Sequence, residues 1–184
     1  MIKSLINTLS NINNISQFKN VPIILEQYSE YINYNNIYNL YNTHNKNNKN
    51  NKNNKNNKKM AIYKPLYYNN TKILSVNENQ DYVKFLFFEN KILESYFIFW
   101  KPNSKSRIHN HAKQGCYFTV LNNTLEEHVY NKNIELTQMN VIQPYEINYI
   151  DDTIGYHKII NNSNNFSVSL HIYSPPNSDI QIFD

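Results

Sequence analysis

The 184-residue sequence is poor in glycine, cysteine and arginine, and it has no long apolar run. Its single cysteine, Cys116, excludes an intrachain disulfide and is typical of a protein in a reducing compartment. No stretch approaches the roughly 18 consecutive apolar residues of a membrane helix. The N-terminal residues are interrupted by Asn and Ser and lack the apolar core of a signal peptide. These absences predict a soluble, cytoplasmic protein that has no membrane partner.

The positive charge is concentrated in one tract, residues 44–59. The formal net charge of the chain is +4, but this tract has six lysines and no acid, and the remaining residues have 12 Lys and Arg against 14 Asp and Glu. The tract has no apolar residue to offset the entropy of ordering, which predicts a disordered insertion. It also has no aromatic residue on which a base could stack, so we expect no nucleic-acid partner.

The tract separates a helical segment from a β-rich domain. In residues 1–43 apolar side chains recur at helical spacing, first over 2–12 and again over about 21–41. An organelle transit sequence is the alternative, but such sequences are rich in arginine and Arg107 is the only arginine of the chain. We therefore predict that residues 1–43 form helices that pack on a domain formed by residues 60–184.

The C-terminal domain has the pattern of an all-β sandwich or barrel, with many short strands separated by polar turns. The strands that we expect are 84–88, 93–100, 109–113, 117–121, 125–130, 134–137, 140–142, 146–150, 157–161 and 167–174.

Three histidines have the spacing of metal ligands. His109 and His111 are two residues apart, so both side chains point to the same face if they share one strand. His157 can then complete the site from a second strand. The His-x-His pair alone is equally consistent with two surface histidines, so the prediction depends on what else the chain offers.

A polar stripe near the C-terminus supports a site inside the domain. Ser169, His171 and Tyr173 alternate with apolar residues, as in a strand that borders a polar cavity. The alternative is that Ser169 and His171 only satisfy each other in the core. Three neutral imidazoles would leave a divalent ion with its full charge and open positions for a thiolate, water or dioxygen. Such ligands fit zinc as well as iron.

These motifs resemble the thiol dioxygenases of the cupin superfamily, and most closely the cysteine dioxygenases. The resemblance covers about residues 82–184. It implies a cupin-type jelly-roll barrel with small N-terminal α-helices, with Fe²⁺ held by the three histidines. The residues that carry it are Trp100, His109, Asn110, His111, Cys116, Tyr149, Ile150, Asp152, Gly155, His157 and those at 169–176.

The resemblance also implies an activity, the addition of both atoms of O₂ to the sulfur of a small-molecule thiol, which gives a sulfinic acid. Most cupins carry a metal-binding Glu where Cys116 lies, whereas the cysteine dioxygenases carry a Cys that is joined to Tyr173 by a thioether. Taken alone, Cys116 is better read as a small buried apolar residue than as a reactive group. In the family Tyr173 is polarised through His171 and Ser169 and directs its hydroxyl at the substrate. We expect a monomer.

The chain departs from the family at the position that binds the substrate carboxylate. The family has a Tyr-x-Arg element there, and the best match in this chain is Tyr82-Val83-Lys84. Lys cannot form the two-pronged contact that Arg makes with a carboxylate, so recognition of cysteine is weaker or altered. The alternatives are that Lys84 is a solvated strand residue, or that Arg107 has taken over the role.

Two asparagines stand where the general cupin pattern has glycine, at Asn103 and Asn123. Because Asn tolerates left-handed backbone geometry better than other non-glycine residues, we expect both turns to be preserved. The function that we predict is a cysteine dioxygenase. The alternatives are a dioxygenase of another small thiol, such as a mercapto-acid or cysteamine, and an inactive cupin used for binding.

Overall fold

Most of the regular secondary structure of the described chain lies in two antiparallel β-sheets. The computed structural model describes residues 2–32, the helical positions 35, 37, 39 and 42, the backbone of 66–68 and 71–78, and residues 81–183. The tract 44–59 lies outside these residues, so its disorder stays a prediction. None of the described helices has the length and apolarity needed to span a bilayer.

The strands form one sheet of seven and one of six. The larger sheet has the order β1-β2-β3-β4-β12-β7-β10, and the smaller has the order β13-β6-β11-β8-β9, with β5 paired to β11. The strand bounds are β1 Leu66–Tyr68, β2 Thr71–Glu78, β3 Tyr82–Glu89, β4 Glu94–Trp100, β5 Ser104–Lys105, β6 Ile108–His109, β7 Cys116–Asn122, β8 Leu125–Tyr130, β9 Leu136–Ile142, β10 Asn148–Ile150, β11 Tyr156–Asn161, β12 Ser167–Tyr173 and β13 Ile182–Phe183.

The all-β prediction is therefore confirmed, with corrections to individual strands. The expected strands 134–137 and 140–142 are a single strand, β9. The prediction divided it because its side chains are mostly exposed and give no alternating apolar signal. Strands β1 and β2 extend the larger sheet on the N-terminal side of residue 82, where we had predicted no strand. The strand at 125–130 has the predicted bounds.

The two faces of β12 separate two hydrophobic clusters. Leu170 and Ile172 point to a cluster between the larger sheet and the N-terminal helices. On the opposite face, Tyr173 belongs to a cluster between the two sheets, together with Trp100 and Phe118. Every residue of β12 is buried because it lies between β4 and β7. Alternation along this one strand therefore directs its polar residues into the space between the sheets.

The N-terminal helices cover the outer face of the larger sheet. Helix α1 spans Ile2–Ser10 and α2 spans Val21–Tyr28. The Phe18 ring lies 5.2 Å from the Tyr117 ring of β7, between centroids. The second helix is shorter than the predicted 21–41, since a 3₁₀ turn follows α2 and Ile32 is extended (φ −79°, ψ 107°).

The two asparagine turns have the backbone geometry that we expected. Asn103 has φ 52° and Asn123 has φ 54°, both in the left-handed region. Asn123 also donates a 2.7 Å hydrogen bond from Nδ2 to the Phe166 carbonyl. Its side chain therefore connects this turn to the residue that precedes β12. The prediction that Asn preserves these turns is confirmed.

Candidate metal centre

The three predicted histidines lie together between the sheets. Their potential ligand nitrogens all lie within 4.8 Å of one another. The ring centroids are 4.5 Å apart for His111 and His157, 4.8 Å for His109 and His157, and 5.5 Å for His109 and His111. His109 and His157 are direct register partners across β6 and β11, so sheet pairing brings two of the three rings together.

His111 reaches the site from a loop, and the prediction of one strand over 109–113 is wrong. Strand β6 ends at His109. The backbone N–H of His111 donates to Asp152 Oδ1 at 2.7 Å rather than to a neighbouring strand. Asp152 lies in the turn between β10 and β11. A side chain from this turn therefore positions His111, and residue spacing alone does not reveal such a contact.

His109 and His157 each form a hydrogen bond through Nδ1 with a group outside the histidine cluster. His109 Nδ1 lies 2.9 Å from the Arg107 carbonyl oxygen, and His157 Nδ1 lies 2.7 Å from Glu127 Oε1. Both partners are acceptors, so Nδ1 carries the proton and the Nε2 lone pair remains for a metal. The two ring nitrogens of His111 are buried and have no hydrogen-bond partner in the described chain.

The protonation states suit metal ligands. Burial and the neighbouring imidazole of His157 lower the pKa of His109 to about 3. Burial and the same neighbour lower the pKa of His111 further. Both rings are therefore neutral at physiological pH, which is the form that binds a metal. A compact set of three imidazoles, one of them with unsatisfied nitrogens, fits a divalent ion.

A hydrogen-bonded chain runs along β12 to the cavity. Trp100 Nε1 donates to Ser169 Oγ at 2.8 Å, Ser169 Oγ lies 2.8 Å from His171 Nε2, and His171 Nδ1 lies 3.3 Å from the Tyr173 hydroxyl. An indole N–H can only donate, so Ser169 Oγ accepts from Trp100 and its own hydrogen is left to donate to Nε2. In the His171 tautomer that carries its proton on Nδ1, Nδ1 donates to Tyr173, and the Tyr173 hydroxyl keeps its own hydrogen for another acceptor.

Cys116 lies beside this chain. Its Sγ atom is 3.7 Å from His171 Nδ1, and its side chain and that of Tyr173 are within hydrogen-bonding reach. Burial raises the pKa of the Cys116 thiol, and burial together with Cys116 raises the pKa of Tyr173 well above its ordinary value. Both groups are therefore protonated at physiological pH.

Lys84 faces the interior rather than solvent. Its Nζ atom lies 5.7 Å from the Tyr96 ring centroid and 5.5 Å from the Tyr173 ring centroid. Burial lowers the pKa of Lys84, although Cys116 and Glu94 act in the opposite direction. The ammonium group is thus held against two aromatic rings, as in cation–π contacts.

These groups line one cavity of about 790 Å³. His109 and His157 lie on its wall together with Lys84, Tyr173 and the exposed Arg107. Its remaining lining includes Tyr82, whose ring packs on Trp100 with 5.0 Å between centroids. The cavity therefore brings two cationic side chains and a phenol to the histidine cluster. Cys116 is the register partner of Tyr173 on the neighbouring strand β7.

The sequence analysis did not predict two contacts of the site, that of Glu127 with His157 and that of Asp152 with His111. Glu127 is buried, and burial alone would raise its pKa, but the hydrogen bond and charge of His157 hold the pKa below its ordinary value. The signal was present: strand alternation places Glu127 on the same face as Leu125 and Val129, and an acidic residue there needs a partner. Asp152 was among the residues that carry the family resemblance, but its contact with His111 was not predicted.

Comparison with known proteins identifies the family. The family model for cysteine dioxygenase type I matches residues 53–184, which is more than half of the chain. The chain belongs to the cysteine dioxygenase type I family. Cysteine dioxygenase type 1 of Homo sapiens is 33% identical over 92 residues, a match that covers 46% of this chain and 46% of that protein. The Danio rerio protein is 30% identical over 93 residues, with the same coverage. The matches thus span about half the length of these relatives.

Solved structures agree on the fold of this cysteine dioxygenase family member. A mutant of Bacillus subtilis oxalate decarboxylase OxdC has a TM-score of 0.52 at 12% identity, covering 60% of this chain and 30% of that one. The capsular polysaccharide assembling protein CapF from Staphylococcus aureus has a TM-score of 0.50 at 16% identity, covering 61% and 32%. The likeness supports the fold alone, and the domain has the predicted cupin-type jelly-roll architecture.

Proposed function

We propose that this protein is an iron-dependent dioxygenase that oxidises the thiol of free L-cysteine to cysteine sulfinic acid with O₂. The observation that carries the proposal is the cavity in which two of the three clustered histidines, His109 and His157, meet a lysine ammonium and a tyrosine hydroxyl. The named relatives are cysteine dioxygenases. The reaction is balanced without another reductant, since R–SH and O₂ together give R–SO₂H.

The metal would be held by His109, His111 and His157. Ferrous iron bound there supplies redox chemistry and open coordination positions for a thiol and dioxygen. The protein supplies imidazole ligands whose Nδ1 atoms are already hydrogen-bonded at His109 and His157, so these rings need little reorientation when they bind an ion.

Lys84 would attract the carboxylate of the substrate. It is a cationic group on the cavity wall, and the low polarity around it strengthens its attraction for a negative charge. A single ammonium holds a carboxylate as a point charge, without the planar match that a guanidinium provides. The contact therefore contributes attraction but little orientation.

Tyr173 would donate a hydrogen bond to the reacting group. The chain from Trp100 through Ser169 and His171 directs the proton of Nδ1 at the phenol oxygen. Because the raised pKa keeps Tyr173 protonated, its hydroxyl hydrogen is available to stabilise negative charge that develops on sulfur or oxygen in the cavity. His171 and Ser169 act through Tyr173, and Cys116 restricts its position.

A second candidate is a dioxygenase of a different small thiol. The observation in its favour is Lys84 at the position where the family has arginine. A mercapto-acid keeps the carboxylate, whereas cysteamine lacks it. We further propose that the protein acts as a cytoplasmic monomer with no nucleic-acid or membrane partner.

The test is anaerobic loading of the purified protein with Fe²⁺, followed by exposure to O₂ with cysteine, 3-mercaptopropionate and cysteamine in separate reactions. Mass spectrometry of the small molecules reads the product. We expect cysteine sulfinic acid as the main product, with a gain of two oxygen atoms per thiol. A faster reaction with another thiol would support the second candidate. Full iron occupancy without any sulfinic product would indicate an inactive binding cupin.

A further inference from the structure

Glu127 forms a hydrogen bond with His157 but is not itself one of the three clustered histidines. Its Oε1 atom accepts a hydrogen bond from His157 Nδ1 at 2.7 Å, and its Oε2 atom accepts one from Asn140 Nδ2 at 3.1 Å. The side chains of Glu127 and His157 are 7% and 3% exposed. An ionised carboxylate is costly to bury at this depth unless its oxygens are paired, and here both oxygens have a partner.

The contact distinguishes His157 from the other two histidines. His109 Nδ1 meets a neutral backbone carbonyl. His111 Nδ1 lies 3.3 Å from Asp152, whose side chain is 43% exposed and whose near oxygen already accepts a backbone N–H. Among the described residues around the three histidines, Glu127 is thus the buried carboxylate in direct contact with an imidazole. It adds one negative charge beside the place where a divalent cation would bind.

We propose that Glu127 is a positioning residue that tunes His157 as a metal ligand. This inference goes beyond the proposed function but rests on its metal site. The hydrogen bond fixes His157 as the Nδ1–H tautomer, so the Nε2 lone pair is directed at the cluster before any ion arrives. The carboxylate charge also makes that lone pair more basic and partly balances the charge of the ion. Asn140 keeps the carboxylate in place from β9.

The neighbouring glutamate provides a matched control. Glu126 lies on the same strand but on the opposite face, where its oxygens meet His128 Nε2 at 3.4 Å and Asn162 Nδ2 at 2.7 Å. His128 is not part of the cluster. Glu126→Gln therefore makes the same chemical change next to a histidine that holds no metal.

The experiment measures Fe²⁺ affinity of the metal-free protein, under anaerobic conditions, by competition with a chelator. We expect Glu127→Gln, which keeps an acceptor but loses the charge, to bind Fe²⁺ about tenfold more weakly. Glu127→Ala, which loses both, should bind about a hundredfold more weakly. Asn140→Ala, at a half-buried position, should show a smaller loss. Glu126→Gln should bind as the wild type does.

A second readout does not depend on iron. ¹⁵N NMR of the histidine side chains in the metal-free protein should find His157 as the Nδ1–H tautomer in the wild type and in Glu127→Gln. Glu127→Ala should give a mixture of tautomers. Unchanged affinity and an unchanged tautomer in the Glu127 variants would overturn the inference, even if their thermal stability falls. Failure of the wild type itself to bind Fe²⁺ would overturn the metal site and this inference together.

Discussion

Cys116 and Tyr173 are paired directly across neighbouring antiparallel strands, β7 and β12. Both side chains also approach the same atom, His171 Nδ1, at 3.7 Å and 3.3 Å. Strand pairing and the shared neighbour thus hold a thiol and a phenol side by side next to the candidate metal centre. The two groups need no large movement in order to react with each other.

The first prediction is that a Cys116–Tyr173 thioether forms during turnover with Fe²⁺ and O₂. Oxidation removes one hydrogen from the thiol and one from the phenol ring, so intact-protein mass spectrometry should find a species lighter by about two hydrogens. Peptide mapping should find the two segments linked. Cys116→Ser should lower activity without abolishing it. Loss of iron from that variant would show that Cys116 is a metal ligand instead.

The second prediction concerns the three histidines. The wild type should bind about one Fe²⁺ per chain, and replacement of His109, His111 or His157 by Ala should abolish stable binding, because two ligands from the protein are too few for a labile divalent ion. Iron content after desalting measures this. His128→Ala is the control and should keep its iron. Full retention of iron by His157→Ala would remove that residue from the site.

The third prediction tests whether Lys84 binds the substrate carboxylate. Lys84→Ala should raise the KM for cysteine by about tenfold to a hundredfold, the equivalent of one lost charged hydrogen bond, and change kcat less. Lys84→Arg should lower that KM by restoring the two-pronged contact and leave cysteamine almost unaffected. Steady-state kinetics of both thiols provide the measurement.

Arg107→Ala serves as the comparison, since Arg107 lies on the same cavity wall. If Arg107→Ala raises the KM for cysteine and Lys84→Ala does not, Arg107 binds the carboxylate. If both Ala variants keep their preference for cysteine over cysteamine, then neither residue does so.

The fourth prediction follows from the lowered pKa of Lys84. Between that lowered pKa and the ordinary lysine value of about 10.4, the unfolded chain binds the proton more often than the folded one does. The folded state therefore gains stability relative to the unfolded state as pH rises through this window. Urea unfolding of the wild type and of Lys84→Met at several alkaline pH values should find their difference moving in favour of the wild type. A difference that is independent of pH would mean that Lys84 is well solvated.

The sequence predicted those features that depend on local pattern. The left-handed turns at Asn103 and Asn123 follow from the backbone preference of asparagine itself. The polar stripe of β12 follows from strand alternation, which also explains why Ser169, His171 and Tyr173 share a face. Such properties are determined by neighbours in the chain, so they can be predicted without knowledge of the tertiary structure.

The features that were missed depend on contacts between distant segments. His111 is positioned by Asp152, and His157 by Glu127, 41 and 30 residues away in sequence. The end of α2 at Tyr28 depends on how the chain meets the sheet, because the apolar spacing continues past it. Edge strand β9 was divided in two because most of its side chains are exposed and carry no burial pattern.

The pairing of His109 with His157 across β6 and β11 also bears on the order of events as the chain folds. Before those two strands meet, two of the three ligand histidines, His109 and His111, are already close in the chain. A pair of this kind is a weak chelate. The third ligand arrives with one of the long-range contacts, and such contacts form late because their loops are costly to close. We therefore expect an ion bound at this site to have little effect on the rate of folding and to slow the unfolding of a domain that has already formed.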